Sequence, residues 1–492
     1  MVRQKSRSVK STIDDFQTTD EKLSSRAGLA TVSRYLEATT ITSILAGRFS
    51  FLKKNAKGAS LKSVFHQLIC FFFDGTGLHM SRFDHLKQDA GYAGVIETVE
   101  EDMISSHTAK RFFRSISNVR VWLFRKVLKK LFLWRLSIEQ PDIIKIGIDT
   151  MVLDNNDADV REGVEPTYKK VKGFQPLQVF WGRYLVDAIF RNGKAHSNHG
   201  NHVQRVVSDM VRLIRTGYRD DVPIIFLADA GFFDQRFLED CEKLNVGLIV
   251  GGKMYQDIKE TVDQMPDEAF WEYKKGTKTW LYTEFGNRRK CWNSFWRTIY
   301  AKPITEENGQ ILLEYARPEL IIYTNIGMNN EITRSILKAH KSDETEISPE
   351  AIINAYHFRA RDELVNRALK DFGTEHLPFK RFTSNAAFYY LMCISFVLFE
   401  AFKYDIDSPV IEITWYAETF RRKVLDIAGQ IIHTGRRILL KIPDVTSTAL
   451  CFKRVWEKSA TAPAVASVPA VSYTHLRAHE TVLDLVCRLL LE

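Results

Sequence analysis

The sequence predicts a mixed α/β chain in which an all-α amino-terminal domain precedes a sheet-based core, and a β-rich insertion interrupts that core. Three observations carry this. From Leu29 to Gln140 apolar side chains recur at three- and four-residue spacing with few β-branched runs, as in helices. From Ile143 the pattern changes to short Ile/Val-rich runs joined by turns, then to an alternation of strand and helix. Between about Met254 and Pro318, Trp271, Trp280, Trp292 and Trp296 lie among Lys, Arg, Thr and Tyr in an alternation typical of β-structure.

Composition narrows the class. At 492 residues the chain is long enough for two or three domains, and 45% hydrophobic content is ordinary for a globular protein. A net charge of +9 favours a polyanionic partner. The cysteines at 70, 241, 291, 393, 451 and 487 show neither zinc-ligand spacing nor a disulfide framework, which fits a reducing cytoplasm. The amino terminus lacks the apolar stretch of a signal peptide. The near-apolar run Ala386 to Phe399 is 14 residues, too short to span a bilayer core of ~30 Å, and predicts a buried helix.

Taken in order, residues 1–28 are polar and Ser/Thr-rich and predict a mobile arm. Residues 29–140 form the expected helical DNA-binding domain. Within it, Met103 to Ile138 holds no acid, while Lys110, Arg111, Arg114, Arg120, Arg125, Lys126, Lys129, Lys130 and Arg135 supply nine cations interleaved with aromatics. Ser105 is placed to cap the helix carrying the first three. A basic amphipathic segment is either a solvated face or a phosphate contact, and the sustained single sign favours phosphate.

Residues 141–253 give the first part of the core. Ile143 to Leu153 reads as a strand with Asp149 inside it, where a carboxylate is costly to bury unless paired or metal-bound. Pro176 to Phe190 reads as a hairpin turning at Gly182-Arg183. A helix over 200–217 follows, then the apolar strand Pro223 to Asp229, a helix from Asp234 to Leu244, and a strand from Val246 to Val250. Three antiparallel strands followed by strand and helix alternation is the ribonuclease H-like order. Residues 254–318 are the predicted inserted β subdomain, and 319–458 the second part of the core with carboxyl-terminal helices. Residues 459–470 have linker composition.

One stretch in the second part stands out. Tyr356 to Lys370 contains no Gly or Pro, starts after Ser348-Pro349 and stops at Gly373, which predicts one helix. At ~100° per residue, Tyr356, Arg359, Glu363 and Lys370 fall within an arc of about 60°. Asp362 points about 100° away from Glu363.

Tyr356-x2-Arg359-x3-Glu363-x6-Lys370 resembles the signature of bacterial insertion-sequence transposases of the DDE class. Ile148-Asp149-Thr150 resembles the family's first-aspartate element, and Lys172-Gly173-Phe its second-strand entry. Ala228-Asp229-Ala-Gly-Phe-Phe-Asp234 resembles the second-aspartate element in its Gly-Phe-Phe form. Ala360 follows Arg359 where many relatives carry Gly. The resemblance covers roughly Leu29 to Lys441.

It implies that Asp149, Asp229 and Glu363 hold two Mg²⁺ ions, with Mn²⁺ able to substitute, because hard cations take carboxylate oxygens. It also implies that Tyr356, Arg359 and Lys370 grip the phosphates of the transferred DNA end. The expected partners are terminal inverted repeats, target DNA and a second copy in a homodimer, with no membrane; the expected location is the bacterial cytoplasm, nucleoid-associated when bound to DNA. The alternatives are a catalytically idle DNA-binding descendant and a ribonuclease H-like nuclease without strand transfer. Residues 471–492, beginning Val-Ser-Tyr-Thr-His-Leu-Arg-Ala-His, resemble a translated sequencing adapter, so an adapter-derived artefact is expected there.

Overall fold

The computed structural model describes residues 13–53, 58–158, 160–197, 200–275, 278–290, 292–304, 306–307, 310–311, 319–339, 344–406 and 412–465. The adapter-like end at 471–492 and the first twelve residues of the expected arm lie outside the described residues.

The helices are arranged on a nine-stranded mixed sheet. From edge to edge its strands are Trp271–Lys275, Lys278–Asn287, Trp296–Pro303, Leu320–Thr324, Gly247–Gly251, Ile224–Ala228, Ile144–Thr150, Leu177–Trp181 and Tyr184–Ile189. The Ile144–Thr150 strand runs antiparallel to Leu177–Trp181, with Asp149 opposite Gln178, and parallel to Ile224–Ala228, with Ile148 opposite Ala228. Ile224–Ala228 in turn runs parallel to Gly247–Gly251. The predicted hairpin turns at Gly182, whose φ of 59° is the left-handed conformation a glycine adopts without strain.

The β-rich segment is not a body of its own. Trp296–Pro303 pairs with Leu320–Thr324, which pairs with Gly247–Gly251, so the three tryptophan-rich strands extend the main sheet. Sheet extension supplies partners for the backbone N–H and C=O groups that an isolated three-stranded ribbon leaves bare at both edges.

Each face of the sheet carries a core. On one, Ile225, Leu227, Ile249, Ile299 and Ile322 meet Ile336, Ile352 and Ile353 from the helices Glu331–Ala339 and Pro349–Phe358. On the other lies the 25-residue helix Phe382–Ile406, packed against Asn118–Glu139, Leu61–Asp74 and Ser106–Arg114. Phe388 of that helix meets Phe72 and Phe113 edge-on or tilted. The helix is long and apolar enough to cross a membrane by length and composition, yet its apolar window is 89% buried.

The segment 29–140 therefore shares one continuous core with the sheet, and no break in packing falls near residue 140. The expected arm is also partly ordered. Lys22–Ser24 pairs with Gly429–Thr434, which pairs with Arg437–Lys441. Leu29–Ala38 lies on Phe452–Ala460, with the Arg34 guanidinium 4.1 Å from the Trp456 ring centre. Of the linker-like stretch, Ser459 and Val465 are fully buried.

Candidate active site

Asp149 lies near the carboxyl end of its strand, on the side occupied by Lys145 and Gly147. Its Oδ1 accepts the Thr150 N–H at 2.8 Å and its Oδ2 accepts the Asn366 side-chain amide at 3.2 Å. Burial pushes its carboxyl up to about 6; the Thr150 N–H and Arg359 oppose the rise, and the charges of Asp229 and Glu363 add to it. Two acids from distant parts of the chain thus act on Asp149.

Asp229 ends the adjacent parallel strand. Through Oδ1 it accepts the Gly231 N–H at 2.9 Å, capping a short turn over Ala230–Phe232. This is where a parallel strand hands over to its loop, the usual position for site residues in open sheets.

Glu363 is carried by a helix whose start differs from expectation. The run from Pro349 to Phe372 is two helices, Pro349–Phe358 and Ala360–Phe372, meeting at Arg359. The first is capped by Ser348, which accepts the Ala351 N–H, and Pro349 stands in the first turn. At the junction the Arg359 N–H is shared between the Ala355 and Tyr356 carbonyls, and the Asp362 N–H bonds the Arg359 carbonyl at 2.8 Å. Those three-residue bonds tighten the turn, so the single straight stripe expected from Tyr356 to Lys370 is interrupted.

Tyr356 packs over Gly251, where a Cβ would collide with its hydroxyl, and Arg359 stands 5.5 Å from its ring centre. Burial and the charge of Asp229 raise the Tyr356 phenol, while Arg359 lowers it. Lys370 is elsewhere: its Nζ pairs with Glu375 at 2.7 Å. Glu375 also accepts the Asp154 N–H, so Lys370 serves the loop beyond the Asp149 strand.

Two basic residues expected on DNA are built into the fold instead. Arg125 makes a two-pronged bond to Asp187, at 2.9 and 2.7 Å, and Lys129 lies 3.5 Å from the same carboxylate and 3.2 Å from Asp209. Asp187 is fully buried, so these cations neutralise an interior charge, Lys129 from a buried position and Arg125 from a partly buried one. Lys126 lies over the Trp122 ring at 4.0 Å, and burial and Arg48 lower the Lys130 ammonium. Arg111 and Arg114 are exposed and Lys110 half-buried, on the helix Ser106–Arg114 that Ser105 caps.

Three residues near the acids were not anticipated as part of the site. Asn366 holds Asp149, and Tyr168, 61% exposed, feels the charges of all three acids. Asp362 is 7% exposed over Gly147, and its Oδ2 has no hydrogen-bond partner. Burial and Asp149 raise its carboxyl to about 7, against Arg359 and Arg361. The available signal was helical spacing: Asp362 and Asn366 lie one turn apart, on the side facing the strand.

Gly147 is required by this arrangement, because a Cβ there would run into the Asp362 carboxylate. Gly147→Ala is expected to lower stability in urea unfolding by about 1–3 kcal/mol, the usual cost of overpacking. Adding Asp362→Ala should recover most of the loss. Unchanged stability in the single variant would mean that Asp362 swings clear at no cost.

The three acids do not form a closed cage: among the described residues no group of three His, Cys, Asp or Glu side chains is close enough to hold a metal ion. No curated protein matches the chain. A cryo-EM structure of the piggyBac transposase synaptic complex with hairpin DNA is similar at 13% identity and a TM-score of 0.38, over 92% of this chain and 88% of that one. The family model described as "Transposase DDE domain group 1" matches residues 8–463, and the chain therefore belongs to that DDE transposase family.

Proposed function

We propose that the chain is the transposase of a bacterial insertion sequence, which it moves by cut and paste through cleavage and strand transfer at terminal inverted repeats. The observation that carries this is the match of residues 8–463 to the DDE transposase family, and the charges of Asp229 and Glu363, which reach Asp149 from a strand end and a helix, support it. The strand order around Asp149, a three-stranded meander beside two parallel strands, supports a ribonuclease H-like core.

The donor set suits Mg²⁺, with Mn²⁺ able to substitute. It consists of carboxylates alone, and it concentrates negative charge that a dication would offset. Asp149, Asp229 and Glu363 would hold two ions. When bound, such ions supply an activated attacking oxygen and stabilisation of the leaving oxygen at phosphorus. Thr150 and Asn366 keep the Asp149 oxygens oriented, and Arg359 places positive charge beside the acids where a phosphate would enter. Tyr356 braces Arg359 at the carboxyl end of the Gly247–Gly251 strand. Lys370 would meet a phosphate with the donors of its ammonium that Glu375 does not take.

The test is a duplex ending in the repeat that flanks the gene, incubated with purified protein and Mg²⁺. Nicking at the repeat boundary that stops with a chelator is expected. Binding without nicking under any divalent ion would overturn the enzymatic reading.

On this reading the protein acts as a homodimer, and Lys110, Arg111 and Arg114 bind phosphates. Neutralising the three should weaken repeat binding and flatten its salt dependence by about 0.9 in log–log slope for each phosphate no longer neutralised. A slope equal to the parent's would take that helix off the DNA.

A further inference from the structure

The outer face of the Ala360–Phe372 helix is left open by the rest of the fold: Phe358, just before it, is 49% exposed and Leu364 is 51% exposed. Two clefts of about 480 and 310 Å³ lie along it and share Gly182, Arg183 and Arg361 as a common wall, so they form one groove. A basic side chain lies on an aromatic ring three times along this surface. The Arg361 guanidinium is 4.3 Å from the Phe358 ring centre, Arg367 is 5.8 Å from Tyr416, and the Lys423 Nζ is 4.2 Å from Trp415.

Several acids in the walls already have partners. Glu346 pairs with Lys145 at 2.9 Å, Glu400 with Lys403 at 2.8 Å, and Glu139 accepts from Arg135 and from the Tyr184 hydroxyl. By contrast, Arg183 Nη1 and Arg359 Nε are buried donors without a hydrogen-bond partner, and Asp362 Oδ2 is a buried acceptor without one. Unpaired buried donors are costly, and an anionic oxygen from a ligand would satisfy them. Paired aromatic and basic groups along a groove offer flat faces to bases and positive charge to the connecting backbone, a combination that accepts single strands of any sequence.

We propose that this groove holds an unpaired DNA strand running outward from the acids, with phosphates against Arg183, Arg359 and Lys423 and bases stacked on Phe358 and Trp415. The proposal rests on the transposase reading, since strand opening beside the acids is what would deliver such a strand. It adds a second DNA surface that continues outward from Arg359, apart from the Ser106–Arg114 helix proposed to bind the duplex repeat.

The test uses the full-length protein, a labelled 20-nucleotide oligo-dT and a labelled duplex repeat end, read by fluorescence anisotropy. Phe358→Ala and Trp415→Ala should each weaken oligo-dT binding about tenfold, with duplex binding and nicking within twofold of the parent. Phe358 is half exposed, so its variant is expected to keep the parent's melting temperature, which is measured alongside. Unchanged oligo-dT affinity in both variants would overturn the proposal. So would equal losses on duplex and single strand, or a parent that binds the duplex but not oligo-dT. A parent that binds neither DNA would overturn the transposase reading as well.

Discussion

Asp149→Asn, Asp229→Asn and Glu363→Gln are each expected to lower the cleavage rate on the order of 10²–10³-fold or more, the scale for removing a group that stabilises charge in the transition state. Repeat binding should change little. The substitutions preserve shape, and an amide oxygen at position 149 can still accept the Thr150 N–H. Asp149 offers a second, independent readout. Its folded-state pKa is raised, so its favourable contribution is present at acid pH and is lost as pH rises through about 6. Asp149→Asn should therefore be more stable than the parent at pH 8, the gap closing towards pH 4. A variant that is inactive yet more stable marks a residue kept for chemistry and not for folding. Retained cleavage in any of the three would remove that acid from the site.

The second large effect concerns stability. Asp187→Ala should cost about 3–5 kcal/mol in urea unfolding, because it strips the largely buried Arg125 of its carboxylate and leaves Lys129 with Asp209 alone. Burial raises the Asp187 carboxyl, but Arg125 and Lys129 outweigh it and hold the group below the usual range. A depressed carboxyl contributes stability that is present above its unfolded value and lost as pH falls through the folded one. The parent should therefore lose this contribution below about pH 4, while Asp187→Ala shows a flatter acid limb. Equal stability of the two at pH 7 would mean that the buried pair contributes nothing.

Much of the sheet was legible because its signal is local. The Ile-rich alternation around Asp149 and the apolar run before Asp229 declare their own secondary structure: the second strand stands within one residue of expectation at each end, while the first stops at Thr150, three residues before the expected Leu153. What was not legible depends on partners far away in the chain. Nothing near Trp280 says that its strand belongs to the main sheet, since the linking strand is Leu320–Thr324. The basic run read as a phosphate surface because Asp187 lies 62 positions beyond Arg125. The interruption at Arg359 leaves no Gly or Pro as a sign, and Asp362 was set aside for pointing away from Glu363 when what mattered was Gly147 beneath it.

Lys22–Ser24 and Leu29–Ala38 complete their packing only against Gly429–Thr434 and Phe452–Ala460. During synthesis the first helices leave the ribosome hundreds of residues before their partners exist, so the nascent chain has to keep apolar surface covered by other means until those later segments have been made. Removing either pair of segments should for the same reason yield aggregation rather than a smaller working protein.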